Sequence, residues 1–325
     1  MIKTFFLSKQ WGLWAYGGAI LLILSLTFQV WLTVLINTWY GEFYDIMQKP
    51  SQHTIGEFWD KMWMFFYIAS PYVIVATVTN WFTRMYGFAW REALTFDYLP
   101  RWKNVESEIE GASQRIQEDT YKFARIVEGL GLSVVRAIMT LIAFLPILWS
   151  MSINVYEIPL LRDIPGSLVW VALVVSLGGI VISWFVGWFL PGLEYRNQVR
   201  EAAFRKELVY VEDDKARYGE ETMTSLFTSV KLNYRRLFNH YGYFDIWMNS
   251  YDQVMMLIPY IVVGPSVMTS AITLGVLVQV SNAFRKVHES FALVLHRWTD
   301  ITELRSIWKR LHEFERNLIK YHPAP

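Results

Sequence analysis

Ala137-Ile-Met-Thr-Leu-Ile-Ala-Phe-Leu-Pro-Ile-Leu-Trp-Ser-Met-Ser-Ile-Asn-Val-Tyr156 holds no Asp, Glu, Lys or Arg. A helix needs about 20 predominantly apolar residues to cross the hydrocarbon core of a bilayer, and this run supplies them. The stretch before it is charged and helix-friendly: Ile109-Glu-Gly-Ala-Ser-Gln-Arg-Ile-Gln-Glu-Asp-Thr120, leading on through Glu128. Acids at the mouth of a membrane helix are costly to keep, so in a membrane protein they are functional candidates by default.

Four more runs free of those residues lie between Gln10 and Gly41, Met62 and Thr83, Gly166 and Leu193, and Gln253 and Phe284. The last is long enough for most of two spans, with Gly264-Pro265 and Thr273-Leu-Gly275 offering a break. Six spans follow, at about 11–38, 62–88, 123–150, 166–191, 242–266 and 273–298, with a tail over 299–325. A soluble helical protein would show a polar face at every turn. The chain therefore reads as an all-α membrane protein forming one membrane domain over 1–325. The first span is too long for a signal-peptide core and lacks a small-residue cleavage site, so it is expected to stay.

Lys and Arg concentrate in the second and fourth connections, for example Arg84, Arg91, Arg101 and Arg115, then Arg196, Arg200, Arg235 and Arg236, and again in the tail. By the positive-inside rule these segments and both termini are cytoplasmic. The two inner connections are long, poor in Gly and Pro, and rich in helix formers over Ser107–Lys122 and Gln198–Lys206. They are expected to continue the spans inward as helices. Trp11, Trp14, Trp39, Trp59, Trp63, Trp184, Trp188, Trp247 and Trp298 fall near span ends, as an interfacial belt would place them.

A net charge of +1 favours no nucleic acid partner. The absence of Cys excludes disulfides and thiol chemistry. No HExxH-type metal spacing and no nucleophile elbow occur, so neither enzyme chemistry, a metal nor a cofactor is expected. No Gly is followed by Lys, so the chain holds no phosphate-cradling GxxxxGK[ST] loop and is not expected to bind ATP. It runs only about 25 residues past the last span, too short for an ATPase domain of ~100 residues or more.

Six spans with short outer turns and long inner helices are the layout of the membrane half of an ABC exporter, and Ile272-Thr-Leu-Gly-Val-Leu277 resembles the start of the sixth span in that class. Four further stretches are more specific: Asn37-Thr-Trp-Tyr-Gly-Glu-Phe-Tyr-Asp-Ile-Met-Gln48, Glu110–Thr120, Ile138–Pro146, and Leu190-Pro-Gly-Leu-Glu-Tyr-Arg-Asn-Gln198 with Glu201–Tyr210 and Glu212-Asp-Asp214. Together they closely resemble the SbmA/BacA peptide transporters of Gram-negative bacteria, over about Gln29 to Glu315. The second stretch also resembles the peroxisomal fatty-acyl ABC transporters. The resemblance implies a homodimer in the bacterial inner membrane with an ABC-exporter-like fold. It implies import of peptides, antimicrobial ones included, driven by the proton gradient. Some members carry an extra N-terminal span; here the first shared span comes almost at once, so that element is not expected.

The same resemblance carries a ladder of proton-coupling acids onto Glu118, Glu128, Glu201 and Glu212. An ordinary carboxyl carries protons poorly at neutral pH; burial or a neighbouring acid changes that. At ~100° per residue, Glu194, Glu201 and Glu212 share nearly one face of a continuous helix over Leu193–Asp214, while Glu207 falls off it. Glu118 and Glu128 lie roughly a quarter turn apart. Glu128 and Glu201 are expected to form the core pair. Against this, Glu201 with Arg205, Arg125 with Glu128, and Asp119 with Lys122 have the spacing of ordinary helix-surface ion pairs. Glu194, Glu207, Asp252 and His288 are secondary candidates, His288 lying with His296 at the inner end of the sixth span. The aromatic segment Trp39–Asp45 could greet peptides or anchor the outer interface. The sequence leaves two competing readings: a half-transporter served by a separately encoded ATPase, and an assembly factor for envelope or lipid synthesis that transports nothing.

Overall fold

The computed structural model describes residues 1–105, 109, 111–154, 157 and 159–320. Among them the chain is helical throughout, with no strand. In order the helices are α1 (Ile2–Phe6), α2 (Gly12–Gln48), α3 (Ile55–Lys103), α4 (Ala112–Gln114), α5 (Thr120–Met151), α6 (Pro159–Arg162), α7 (Ser167–Gly187), α8 (Leu190–Asp213), α9 (Glu220–Met268), α10 (Leu274–His296) and α11 (Trp298–Lys320). Four helical stretches are long and apolar enough to cross a membrane: Gly12–Gln48, Ile55–Lys103, Ala112–Asn154 and Ser167–Asp213. The fifth and sixth expected spans fall on α9 and α10. These helices carry Arg235, Asp245 and Asp252, and Arg285, Lys286 and Glu289, so by composition they are less apolar.

Local sequence sets the ends. Thr54 accepts a hydrogen bond from the Glu57 amide at 3.3 Å, opening α3 with a capping box. Thr273 accepts from Val276 in the same way at the start of α10. The break before α10 comes at Thr269–Thr273 rather than at Gly264-Pro265, which α9 runs through. The turn is closed by the Ser266 carbonyl, which accepts from the amides of Ala271 and Ile272 at 2.9 and 3.2 Å.

The helix expected over Ser107–Lys122 is corrected. Residues 106–108 and 110 lie outside the described residues; among those described, α3 ends at Lys103, Ile109 and Gly111 are not helical, and α4 begins at Ala112. Gly111, at φ +70°, supplies the left-handed turn that starts it. Residues Arg115–Asp119 then wind as a π turn before α5 begins. Such turns insert an extra residue into a helix and recur at functional sites.

The chain divides into two compact units, Met1–Ala172 with Pro259–Pro325, and Leu173–Ile258. In the first, Phe5, Tyr86, Trp90, Leu94, Tyr98, Phe123 and the α11 residues Ile307, Leu311, Phe314 and Leu318 form one core. Those four lie at helical spacing with Leu304 packed beside them, so α11 packs by one stripe. Phe5 stacks on Trp90 at 5.1 Å between ring centres. Elsewhere α2 and α3 leave large apolar side chains bare, among them Leu13 at 88% and Tyr67 at 78% exposure. Apolar exposure on that scale suits a lipid surround.

One tryptophan departs from the expected belt. Trp39 is buried, its indole N–H donates to the Lys61 carbonyl at 2.7 Å, and it stacks on Phe43. It belongs to the packing of α2 on α3 rather than to an exposed interface.

In the second unit, Trp247 donates to Ser183 Oγ at 2.8 Å and Tyr251 to the Val175 carbonyl at 3.0 Å, tying α7 to α9. Asn233 donates to the Leu193 carbonyl and to Asn197 Oδ1, both at 3.3 Å, tying α8 to α9.

Candidate functional site

Helix α5 carries Glu128 at the point where it crosses α3. The crossing is close because α3 presents Gly87: a Cβ there would lie 3.0 Å from Glu128 Oε2 and 3.2 Å from its Cβ. The half-buried Glu128 side chain opens onto two clefts, of about 440 and 850 Å³. Arg84 lines both with it. Among the described residues Glu128 makes no hydrogen bond and no ion pair. Arg125, spaced to pair with it, donates instead to the Tyr121 hydroxyl at 3.1 Å.

The smaller cleft holds a residue that the sequence reading passed over. Arg136 sits two turns beyond Glu128 on α5, next to the start of the uncharged run. It donates to Gln29 Oε1 of α2 at 3.3 Å. Gln29, 3% exposed, donates in turn to Thr79 Oγ1 of α3 at 2.9 Å, and Thr79 shares a hydrogen bond with Ser25. The signal was available: a lone Arg beside a long apolar run marks a functional position in a membrane helix. Attention to the acids alone missed it.

Glu118 lies on the π turn, outside the apolar span. Lys122 holds it at 2.8 Å and Gln114 donates to it at 3.0 Å. The hydrogen bond from Lys122 leads in keeping the Glu118 carboxyl below the usual range. As arranged here it stays ionised at neutral pH. Its neighbour Asp119 is 1% exposed, and burial alone would push its carboxyl up. Hydrogen bonds from Arg310 and Arg115 outweigh that and hold it below the ordinary value. Asp119 thus pairs with Arg310 of α11 and Arg115, not with Lys122, which takes Glu118.

The second unit contains Glu194, Glu201, Glu207, Glu212 and Asp252. Helix α8 is continuous through the first four. Glu194 accepts from the Tyr241 hydroxyl, and Glu207 from Arg217 at 3.4 Å. Glu201 is half-buried and Glu212 exposed; the pairing of Glu201 with Arg205 does not form among the described residues. Asp252 is exposed on α9. In the first unit, His288 is buried on α10. Among the described residues no three of His, Cys, Asp and Glu gather as a metal site would require.

A membrane-length helix that sets an unpaired acid and a lone arginine beside a cleft marks a candidate functional position. Residues 8–319, nearly the whole chain, match the SbmA/BacA-like family. The chain belongs to this family. SbmA/BacA-like membership agrees with the resemblance drawn from Asn37–Gln48 and Glu110–Thr120. The chain is also similar to the inner membrane ABC transporter ATP-binding protein YddA of Escherichia coli, at 26% identity over 89% of this chain and 54% of that protein. An uncharacterized ABC transporter ATP-binding protein of Synechocystis is 24% identical over 96% of this chain and 47% of that one. The chloroplastic ABC transporter D family member 2 of Arabidopsis thaliana is 26% identical over 78% of this chain and 36% of its own length. The chain spans about half the length, or less, of these relatives.

Proposed function

We propose that this chain is a membrane transporter that imports peptides into the cytoplasm using the proton gradient. On this reading it is one transport domain with six spans, works as a homodimer in the bacterial inner membrane, and keeps both termini cytoplasmic. Protons pass along Glu118, Glu128, Glu201 and Glu212, with Glu128 as the central group.

The observation that carries the proposal is the setting of Glu128. It projects from a membrane-length helix into open clefts without a hydrogen bond or ion pair. A carboxyl so placed can take up and release a proton without first breaking a salt bridge. Family membership supports transport as the activity. Purified protein in liposomes, given a labelled peptide and an imposed pH gradient, tests it. Uptake that follows the gradient without ATP upholds the reading, and no uptake under any gradient removes it.

A second reading has an observation of its own. The relatives named above are called ATP-binding proteins or ABC transporters. A half-transporter served by a separate ATPase would take up peptide only with that ATPase and ATP, so the ATP arm of the same experiment separates the two.

A further inference from the structure

The smaller cleft beside Glu128 holds more cations than acids. Arg84, Arg136, Lys286 and Arg297 line it against Glu128 and Glu289. Two of the four cations have acidic partners: Arg297 meets Asp300 at 2.9 Å, and Lys286 meets Glu289 at 3.6 Å. Arg84 and Arg136 form no ion pair among the described residues, Arg84 lying near Glu128 without contact. Arg136 makes only a neutral hydrogen bond to Gln29, and its Nε is buried without an acceptor. A guanidinium left without an anion on a membrane-length helix is expensive unless something else supplies the charge.

The remaining wall mixes small polar groups, Asn80, Thr83, Ser133, Thr140 and Ser290, with apolar Leu132, Ala137 and Leu293, and has no further acid. The planar fork of Arg matches a carboxylate with two parallel hydrogen bonds. The Arg136 Nη1, unlike its Nε, is not buried and makes no hydrogen bond among the described residues, so it is the donor left for such a carboxylate, and Arg84 lines the same cleft. We propose that Arg84 and Arg136 form a subsite that binds a carboxylate of the cargo, the C-terminal carboxylate of a peptide foremost. The inference rests on the peptide-transport reading and adds to it a chemical rule for which cargo is held.

The test uses the full chain purified in detergent and a short fluorescent peptide containing proline and arginine. The peptide is made in three forms: with a free C-terminal carboxylate, amidated, and amidated with one internal aspartate. Fluorescence anisotropy gives the affinity of each. The free acid is expected to bind roughly tenfold or more tightly than the amide. That difference should vanish in Arg84→Gln and in Arg136→Gln, and return in part in Arg136→Lys. Recovery of affinity by the aspartate form assigns the subsite to any carboxylate, and no recovery assigns it to the chain terminus; both uphold it. Equal affinity of acid and amide for the unaltered protein overturns the subsite and leaves peptide transport standing. No binding of any of the three overturns the transport reading and the subsite together. The comparison of peptides on the unaltered protein decides the matter even where a variant does not fold.

Discussion

The Asp119 carboxylate is gripped by the Arg310 guanidinium through two hydrogen bonds, of 2.7 and 3.0 Å, across 191 residues of sequence. Arg115 adds a third at 2.7 Å. This joins the π turn at the head of α5 to the tail helix α11, so the tail is fixed to the same helix that carries Glu128.

Removing one side of this clamp leaves a buried charge. Arg310→Ala is expected to destabilise the protein by roughly 1.5–3 kcal/mol, short of a fully buried pair because Arg310 remains 33% exposed. Thermal unfolding in detergent measures it. Asp119→Asn should cost a similar amount at neutral pH. Because folding lowers the Asp119 value, its contribution is complete above the ordinary Asp value near ~4. It is lost as pH falls below that, through the lower folded value. The stability gap between the unaltered protein and Asp119→Asn should therefore narrow as pH drops below about 4.

Glu128→Gln keeps the shape of the side chain and removes its proton chemistry. Gradient-driven uptake is expected to fall roughly tenfold or more, while unfolding temperature stays unchanged because no hydrogen bond is lost. Glu118→Gln should lower uptake less, since Lys122 already holds that carboxyl ionised. Equal losses in the two variants would place Glu118 on the same footing as Glu128.

Gly87→Ala tests the close approach that seats Glu128. The added methyl group would lie 3.0 Å from the carboxyl oxygen and 3.2 Å from Cβ, so Glu128 must turn away from α3. Uptake should drop while the protein stays folded, and the pH dependence of uptake should shift with it. Unchanged uptake would mean that the seat of Glu128 does not matter.

Gly41 and Gly275 face one another where α2 meets α10. A Cβ on Gly275 would collide with the Gly41 carbonyl oxygen and with Asp45, whereas a Cβ on Gly41 would meet the end of the flexible Gln279 side chain. Gly275→Ala is thus expected to cost roughly 1–3 kcal/mol, and Gly41→Ala clearly less. Unfolding midpoints of the two variants, compared side by side, read the difference.

Much of the architecture was legible because runs without charge are a one-dimensional signal. The helical character of Gln198–Lys206, the break near Thr273 and the family could all be read along the chain. What was hidden depended on residues far apart. Nothing near Asp119 points to Arg310, and its spacing to Lys122 suggested a pairing that Glu118 takes instead. The π turn at Arg115–Asp119 has no compositional mark, so the expected α-helix over Ser107–Lys122 was drawn too regularly. Arg136 was visible but lay at the margin of an apolar run, and its meaning rests on Gln29 and the cleft. Glu128 could be chosen from the sequence, yet its lack of a partner could not, since Arg125 stood at pairing distance along the helix.

The meeting of Gly41 with Gly275 has a mechanical consequence. Backbone touches backbone there, and Asp45 and Gln48 of α2 accept from the first amides of α10 at 3.1 and 2.8 Å. The end of α2 and the start of α10 are thereby tied by two hydrogen bonds and a glycine contact. Lys286 of the Arg136 cleft lies about three turns along α10 from Gly275, so the helix that reaches the cleft is anchored at its other end to α2.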